Sequence, residues 1–435
     1  MTAATVGGLF FPRSAELGLA LEDTVSPRVL AKIVYSGVSA ASFVEASNHL
    51  AELANVKISP ERVRRACARV AHDRIEHHQR LQAAYQSKPL PEQSRGRPAD
   101  VEPPEIACVM ADGGRYQHLD RSLPSSGKPS ARKGEHWKES RIGLLAGMSG
   151  PRHESDPQPE LPPELRYEAI AETLSEIGKT GSKCESPEDD NASGEASSAS
   201  PSDGLVGPEL EGRSVVASRQ NWESFGPLLA SQAWYHGFAA ATRKAFLSDG
   251  SATIEKLQRT HFSRYTSVLD ILHALSYSLA AARAISGDEA TAKKQYDAWA
   301  EKIWQGRVED VIDALIAYGA KFGDPPPDAR SDDPREVIRA SRVFYENHAE
   351  RMNYPEYRRQ GFPLTSSLME STVKQVSRRV KGTEKYWSST GGEAILRLRG
   401  EYLSDDKPMA NYWVHRARSA SGTRAYRQKP DGVYN

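Results

Sequence analysis

The chain has 435 residues, with 57 Lys and Arg against 57 Asp and Glu and a formal net charge of zero. That length allows two or three domains and a core large enough to need no disulfides. The three scattered cysteines, Cys67, Cys108 and Cys184, form no CxxC pair and argue against a disulfide framework and against structural zinc. No apolar run approaches the ~18 residues of a membrane span, and no charged-then-apolar leader opens the chain, so a cytoplasmic protein without a membrane partner is expected.

The balanced charge hides an asymmetry. Residues 57–80 carry seven Lys or Arg against three acids, and residues 371–435 carry thirteen against six. The acidic stretch from about 151 to 213 offsets them. Basic surfaces for nucleic acid joined by an acidic linker give this distribution; so do ordinary solvated helix faces.

In chain order, residues 1–24 give an apolar opening, GGLFFPRSAELGL, broken by a proline. Three helices follow up to about Arg80. The first is PRVLAKIVYSG. The second is AASFVEASNHLAELANV, with Phe43, Ala46, Leu50, Leu53 and Val56 close to helical spacing. The third opens at Ser59-Pro60, an N-cap followed by a proline at the first helical position. The short turn VKIS and the arginines Arg62, Arg64, Arg65 and Arg69 make the second and third helices resemble a helix-turn-helix whose Arg-rich helix reaches phosphates or guanine edges. A plain helical bundle is the alternative. His72, His77 and His78 on the third helix read as a solvated face.

Residues 84–104 are polar and Pro-rich and read as a linker; 105–119 and 135–149 read as strands. Residues 150–217 are rich in Pro, Glu, Ser and Gly and are expected to be a disordered or loosely attached insertion. A helix over 230–245, the strand AFLSDG, a short helix over 252–260 and a strand turning into a helix in YTSVLDILHALSYSLAAARAI come next. Residues 288–322 and 333–353 are helical, with Trp299, Ile303, Val311, Ile312, Leu315 and Ile316 marking buried faces. The last helices run over 367–381 and about 390–403, before a basic tail.

Three carboxylates stand out. Asp112 ends the apolar run IACVMADG, Asp249 ends AFLSDG, and Glu370 lies at the start of a basic helical segment. Two acids at strand exits and a third on a helix can hold two Mg²⁺ ions, hard cations that prefer carboxylates and water, and paired ions cut and join phosphodiesters. Each acid also has a plain reading. Asp-Gly after a strand is commonly a turn, and Ser367-Leu368-Met369-Glu370 fits a capping box. Lys374 and Arg378 follow Glu370 at four and eight residues on one helix face, placed to grip a DNA strand. Asp270 and His273 form a D-x-x-H step read as structural or as supporting the site.

Taken together, ADGG with the later HWKESRIGLL, AFLSDG, DILHA, GFPLTSSLMEST-K with RVKG, Trp387 and AILRLRG resemble the DDE transposases of bacterial insertion sequences, in particular the ISKra-type group. The opening FFPRSAELGL and the helix-turn-helix resemble that group too, and the D-x-x-H element is similar to one in Mutator-like and hAT-like transposases. The resemblance covers most of the chain except 150–217 and the tail. It departs from the group in having Ser366-Ser367 where Ser-Gly is usual before the glutamate, and in a longer, more acidic stretch over 150–217.

The resemblance implies an α/β fold: an RNase H-like mixed five-stranded sheet with flanking helices, an all-helical insertion over about 275–360, and an N-terminal helix-turn-helix domain. The expected division is 1–83 for DNA binding, 84–104 as linker, 105–400 as catalytic domain interrupted by 150–217, and 401–435 as a basic tail. It implies Asp112, Asp249 and Glu370 as catalytic and metal-binding residues, with two Mg²⁺ ions (or Mn²⁺). The implied partners are double-stranded DNA, as terminal inverted repeats and target, and a second copy of the chain, at the bacterial nucleoid. A non-catalytic DNA-binding regulator and a structure-specific nuclease share these features and stay open.

Overall fold

The computed structural model describes residues 25–119, 137–182, 204–382 and 385–420. The opening residues 1–24, Cys184 and the end of the basic tail lie outside them.

The sheet is built on β1 (Ile106–His118). Its first six residues, Ile106 to Ala111, are buried on both faces, as suits a central strand with neighbours on either side. The other strands are β2 (Trp137–Ser149), β3 (Glu209–Ser218), β4 (Arg243–Ser248), β5 (Thr266–Leu269) and the two-residue β6 (Tyr386–Trp387). Their order is β3-β2-β1-β4-β5, with β6 added on the far half of β1. β1 runs antiparallel to β2 and parallel to β4, β2 is antiparallel to β3, and β4 is parallel to β5. The protein is thus an α/β fold on a mixed open sheet.

Alternation along the strands sends side chains to two layers. Ile106, Cys108 and Met110 of β1, with Ala245 and Leu247 of β4, join one large core. Ala107, Val109 and Ala111, with Phe246, join a smaller one. Helices α6 (Trp222–Tyr235) and α7 (Ala252–His261) cover the smaller core through Phe225, Leu228, Leu229, Ile254 and Leu257. The larger core is covered by α8 (Ile271–Ile285), α13 (Ser367–Val380) and α14 (Ser389–Leu403).

The N-terminal helices α1 (Pro27–Ser39), α2 (Phe43–Ala54) and α3 (Pro60–Gln86) belong to that same larger core through Leu30, Ile33, Ala46, Leu50, Val63 and Val70. Ser59 caps α3 as expected, its Oγ accepting from Arg62 N at 3.4 Å. Leu53, placed on the buried face of α2 by spacing, is instead 85 % exposed. α3 continues past Arg80 and docks on α14 and α6: Arg74 donates to both oxygens of Glu401 on α14 at 3.0 and 2.8 Å. His78 is 3.4 Å from the same carboxylate and buried, which corrects its assignment to a solvated face.

Between β5 and α13 the chain is helical. α9 (Glu289–Trp304), α10 (Val308–Phe322), α11 (Pro334–His348) and α12 (Tyr354–Gln360) pack in sequence beside α8. Trp299, Ile303, Val311, Ile312 and Leu315 are buried; Ile316 is not.

Four expectations need correction. Residues 150–217 are not a disordered stretch throughout: α5 (Tyr167–Ser182) packs on α8 with Ile170 and Leu174 buried, and 209–218 form β3. Arg358 donates from Nε to Asp156 Oδ1 at 2.7 Å, and Trp304 Nε1 to Gln158 O at 2.8 Å, so 151–166 is pinned to the helical layer. The acidic composition hid the i, i+3, i+7 spacing of Tyr167, Ile170 and Leu174. Residues 183–203 of that stretch lie outside the described residues. The linker 84–104 contains α4 (Leu90–Arg95), and Trp234 donates to Glu92 O at 2.9 Å. The helix expected at 230–245 is α6 and starts at Trp222; Gly226-Pro227 looks like a breaker but sits within a helix buried on nearly every side. The tail begins with α15 (Pro408–Ala420), whose Arg416 donates to Asp73 Oδ2 of α3 at 2.9 Å.

Candidate active site

Asp112 does not end its strand, as the sequence suggested; β1 continues six residues beyond it because β2 pairs along its whole length, Asp112 opposite Ile142. What ends near Asp112 is the parallel ladder with β4, which stops at the pair Met110–Leu247. Carrying that register two residues on sets Asp112 opposite Asp249. Adjacent strands lie ~4.8 Å apart, and equal parity points both side chains to the same face, here that of the larger core. β4 and β5 pair as Ser248–Leu269, so Asp270 comes next in the same row, and its N–H donates to Ser248 O at 2.9 Å. Three aspartates thus stand side by side where the parallel ladders stop, Asp112 within β1 and Asp249 and Asp270 just past the ends of β4 and β5. From β1 the chain goes outward to β2 and from β4 outward to β5, so Asp112 and Asp249 flank the point where the sheet order reverses, the usual ligand crevice of such sheets.

Asp270 brings the third acid in. It is fully buried and caps α8, its Oδ1 accepting from Leu272 N at 2.7 Å. Its Oδ2 accepts from Ser366 N at 2.9 Å and from the Ser366 hydroxyl. Ile271 N also donates to Leu364 O at 3.0 Å. These bonds hold the residues leading into α13 against the end of β5. Ser366, not Ser367, is the N-cap, with no side-chain capping bond, so the capping box expected for Glu370 does not form and its carboxylate is not occupied there.

The charges register one another. Burial, with the negative charges of Asp249 and Glu370, raises the Asp112 carboxyl to about 7 even though Gly113 N donates to it at 2.6 Å. Burial and the charge of Asp270 raise Glu370, against the pull of His273 and Lys374. Burial disfavours a charged His273, but Asp270, whose Oδ2 lies 3.5 Å from its Nδ1, together with Asp249 and Glu370, raises it to about 9. The D-x-x-H step therefore sets a cation among the carboxylates.

Among the described residues, no three acidic, His or Cys side chains converge tightly enough to form a ready-made ion cage. The donor set nonetheless suits hard divalent cations: the Asp112 and Glu370 carboxyls, raised by burial and by neighbouring negative charge, are relieved by a bound ion.

Nothing in the sequence pointed to the residues beside Asp249. His348 Nε2 stands where a Cβ on Gly250 would lie 3.1 Å from it, and Gly250 has φ +96°. Arg351 is 6 % exposed, 3.8 Å from Glu255, and its guanidinium nitrogens have no hydrogen-bond partner among the described residues. Both feel the charge of Asp249. His348 ends α11 and Arg351 lies in the short turn after it, in the helical layer, where a His and an Arg look like any amphipathic helix.

Of the basic residues singled out, Lys374 and Arg378 are exposed along α13, beyond Glu370. Arg64 and Arg65 are exposed at the start of α3, where both donate to Glu61 at 2.7 to 2.9 Å. Arg62 is exposed and Arg69 half-buried on the same helix. No family model matches the chain, and no curated protein matches it in sequence.

Proposed function

We propose that the chain is a DDE transposase on an RNase H-like core, cutting and joining DNA strands at the ends of a mobile element. The observation that carries this reading is the register of β1 and β4, which sets Asp112 against Asp249 at the sheet's reversal point, with Glu370 close enough to perturb both Asp112 and His273. A mixed sheet flanked by helices, with a helical layer between the second aspartate and the glutamate, supports the same reading.

Asp112, Asp249 and Glu370 would hold two Mg²⁺ or Mn²⁺ ions, which supply Lewis-acid stabilisation of the charge at phosphorus and lower the pKa of water. The chain's own residues do the positioning. Asp270 fixes the entry to α13 and so the place of Glu370. His273 balances part of the negative charge of the site. Lys374 and Arg378 hold phosphates of the strand on the open side of α13, and α2 with α3 read the element ends as a helix-turn-helix. The enzyme acts on double-stranded DNA as an oligomer at the nucleoid.

The test uses duplexes from the DNA flanking the protein's own reading frame, with Mg²⁺. The wild-type chain should nick them and join pre-cut ends to a plasmid, and Asp249→Asn should lose both while keeping end binding. Cutting without joining would favour a structure-specific nuclease; binding without cutting by the wild-type chain would favour a regulator.

A further inference from the structure

A second place on the molecule has the makings of an anion site. Between α2, α3 and the start of α14 lies a groove of about 970 Å³. One wall is the N-terminus of α14, capped by Ser388, whose Oγ accepts from Gly391 N at 3.1 Å. The first N–H groups of a helix have no acceptor within it, and they carry the positive end of its dipole. Ser389 and Thr390, in the first turn, line the groove, with Ser389 Oγ 2.9 Å from His118 Nε2.

The opposite wall supplies an independent observation. Arg379, at the end of α13, lines the groove and is 2 % exposed. It donates from Nε to Gly37 O at 3.0 Å and from Nη1 to Ala41 O at 3.3 Å, and its guanidinium lies over the rings of Phe43 and Trp387, 4.7 and 4.9 Å from their centres. Its Nη2 has no hydrogen-bond partner among the described residues. A buried guanidinium N–H left unmatched costs free energy that a bound anion recovers. Arg64 and Lys385 add positive charge to the lining. Two acids oppose them: Glu61, which lines the groove and is held by Arg64 and Arg65, and Glu45, which accepts from Ala41 N at 2.6 Å.

The groove is tied to the candidate active site by two rigid elements. β6 pairs with Gln117 and His118 of β1, six residues past Asp112, or ~20 Å along the strand. Arg379 lies nine residues past Glu370 on α13, or ~14 Å along the helix. At 3.4 Å per base pair, that is a spacing of ~4 to 6 base pairs.

We propose that this groove holds backbone phosphates of the DNA strand that enters the active site, a few nucleotides from the point of cleavage. The inference rests on the DNA-processing reading and adds where the substrate is held. Phosphates fit a helix N-terminus together with a guanidinium.

The experiment is made in full-length Asp249→Asn, which holds DNA uncut. Thr390→Glu puts a carboxylate in the first turn of α14, where it favours the helix dipole and so preserves folding, but repels phosphate. Anisotropy with a labelled 20-base-pair duplex from 50 to 200 mM salt should show binding about ten-fold weaker and a log-log salt slope smaller by about 1, because one phosphate contact is lost. Lys385→Gln should change both in the same direction by less. Unchanged affinity and slope in both variants would overturn the proposal. Inorganic phosphate that stabilises the parent against heat but not Thr390→Glu, with DNA binding equal in the two, would also overturn the strand assignment. Cleavage by the wild-type chain is read separately: weaker duplex binding by Thr390→Glu with no cutting by wild type leaves this groove standing and removes the transposase reading.

Discussion

Asp112 carries the largest electrostatic cost in the site, and its sign decides what a neutral substitute does. Its carboxyl stands at about 7 in the fold against 3.8 as a free side chain. A raised folded value means that the native state holds the proton more tightly than the unfolded chain. The associated stability is fully present below about pH 4 and is lost as pH rises through about 7. That gap corresponds to at most about 4 kcal/mol. Asparagine keeps the shape, can still accept from Gly113 N and does not titrate. Asp112→Asn should therefore be more stable than wild type at pH 8 without divalent ions, by about 2–4 kcal/mol, and equal to it near pH 4. Urea midpoints at the two pH values check this. Equal midpoints at pH 8 would mean that neither burial nor the charges of Asp249 and Glu370 raise the Asp112 carboxyl. On the proposed two-ion reading, added Mg²⁺ should shrink the difference, since an ion held by Asp112 would relieve the charge that Asn lacks.

At the scale of elements, strands and helices were legible where apolar period and punctuation agreed. Ser59-Pro60 opened α3, and GDPPPDARSDDP separated α10 from α11. Legibility failed where tertiary context overrode local signals. Pro227 sits inside a helix buried on almost all sides. α5 hid in an acidic, Ser-rich stretch. The three acids and the D-x-x-H step could be picked out because each stands beside an apolar run or a helix start that the sequence shows. Ser366, His348 and Arg351 could not, since their roles come from what lies across from them in space. The same holds for Gly400 on α14. A Cβ there would lie 2.7 Å from Val215 O and 3.3 Å from Ala217 N, so α14 approaches β3 backbone to backbone. Alanine favours a helix by about 1 kcal/mol over glycine, but the obstacle is a sheet carbonyl that cannot turn away. Gly400→Ala should therefore lower stability by about 1–3 kcal/mol; a rise in its urea midpoint would show that propensity wins and the contact is loose.

For the whole molecule the question is whether the N-terminal helices form a separate module. The charge pattern and the helix-turn-helix spacing suggested a DNA-binding domain ending near residue 83, joined by a linker. The core contradicts a loose attachment: Leu30, Val63 and Val70 are buried with Ile142, Leu396 and Leu398 in one continuous cluster. The Arg74–Glu401 pair fastens α3 to α14 inside it, both side chains at most 10 % exposed. Removing one member of a buried pair strands the other charge and costs about 3–5 kcal/mol, whereas replacing both by apolar groups is far milder. Arg74→Leu should accordingly destabilise by about 3 kcal/mol, and the double variant with Glu401→Leu should recover most of it. Because the pair joins the two regions, the loss should appear as a shift of one transition, seen alike by far-ultraviolet circular dichroism and by tryptophan emission from the sheet side. If α1 to α3 were an independent module, Arg74→Leu would split the curve, the helical signal going first while the tryptophan signal kept its wild-type midpoint. A single shifted transition would mean that α3 and the layer that carries Glu370 unfold as one unit, as expected from α14 packing against both α3 and α13.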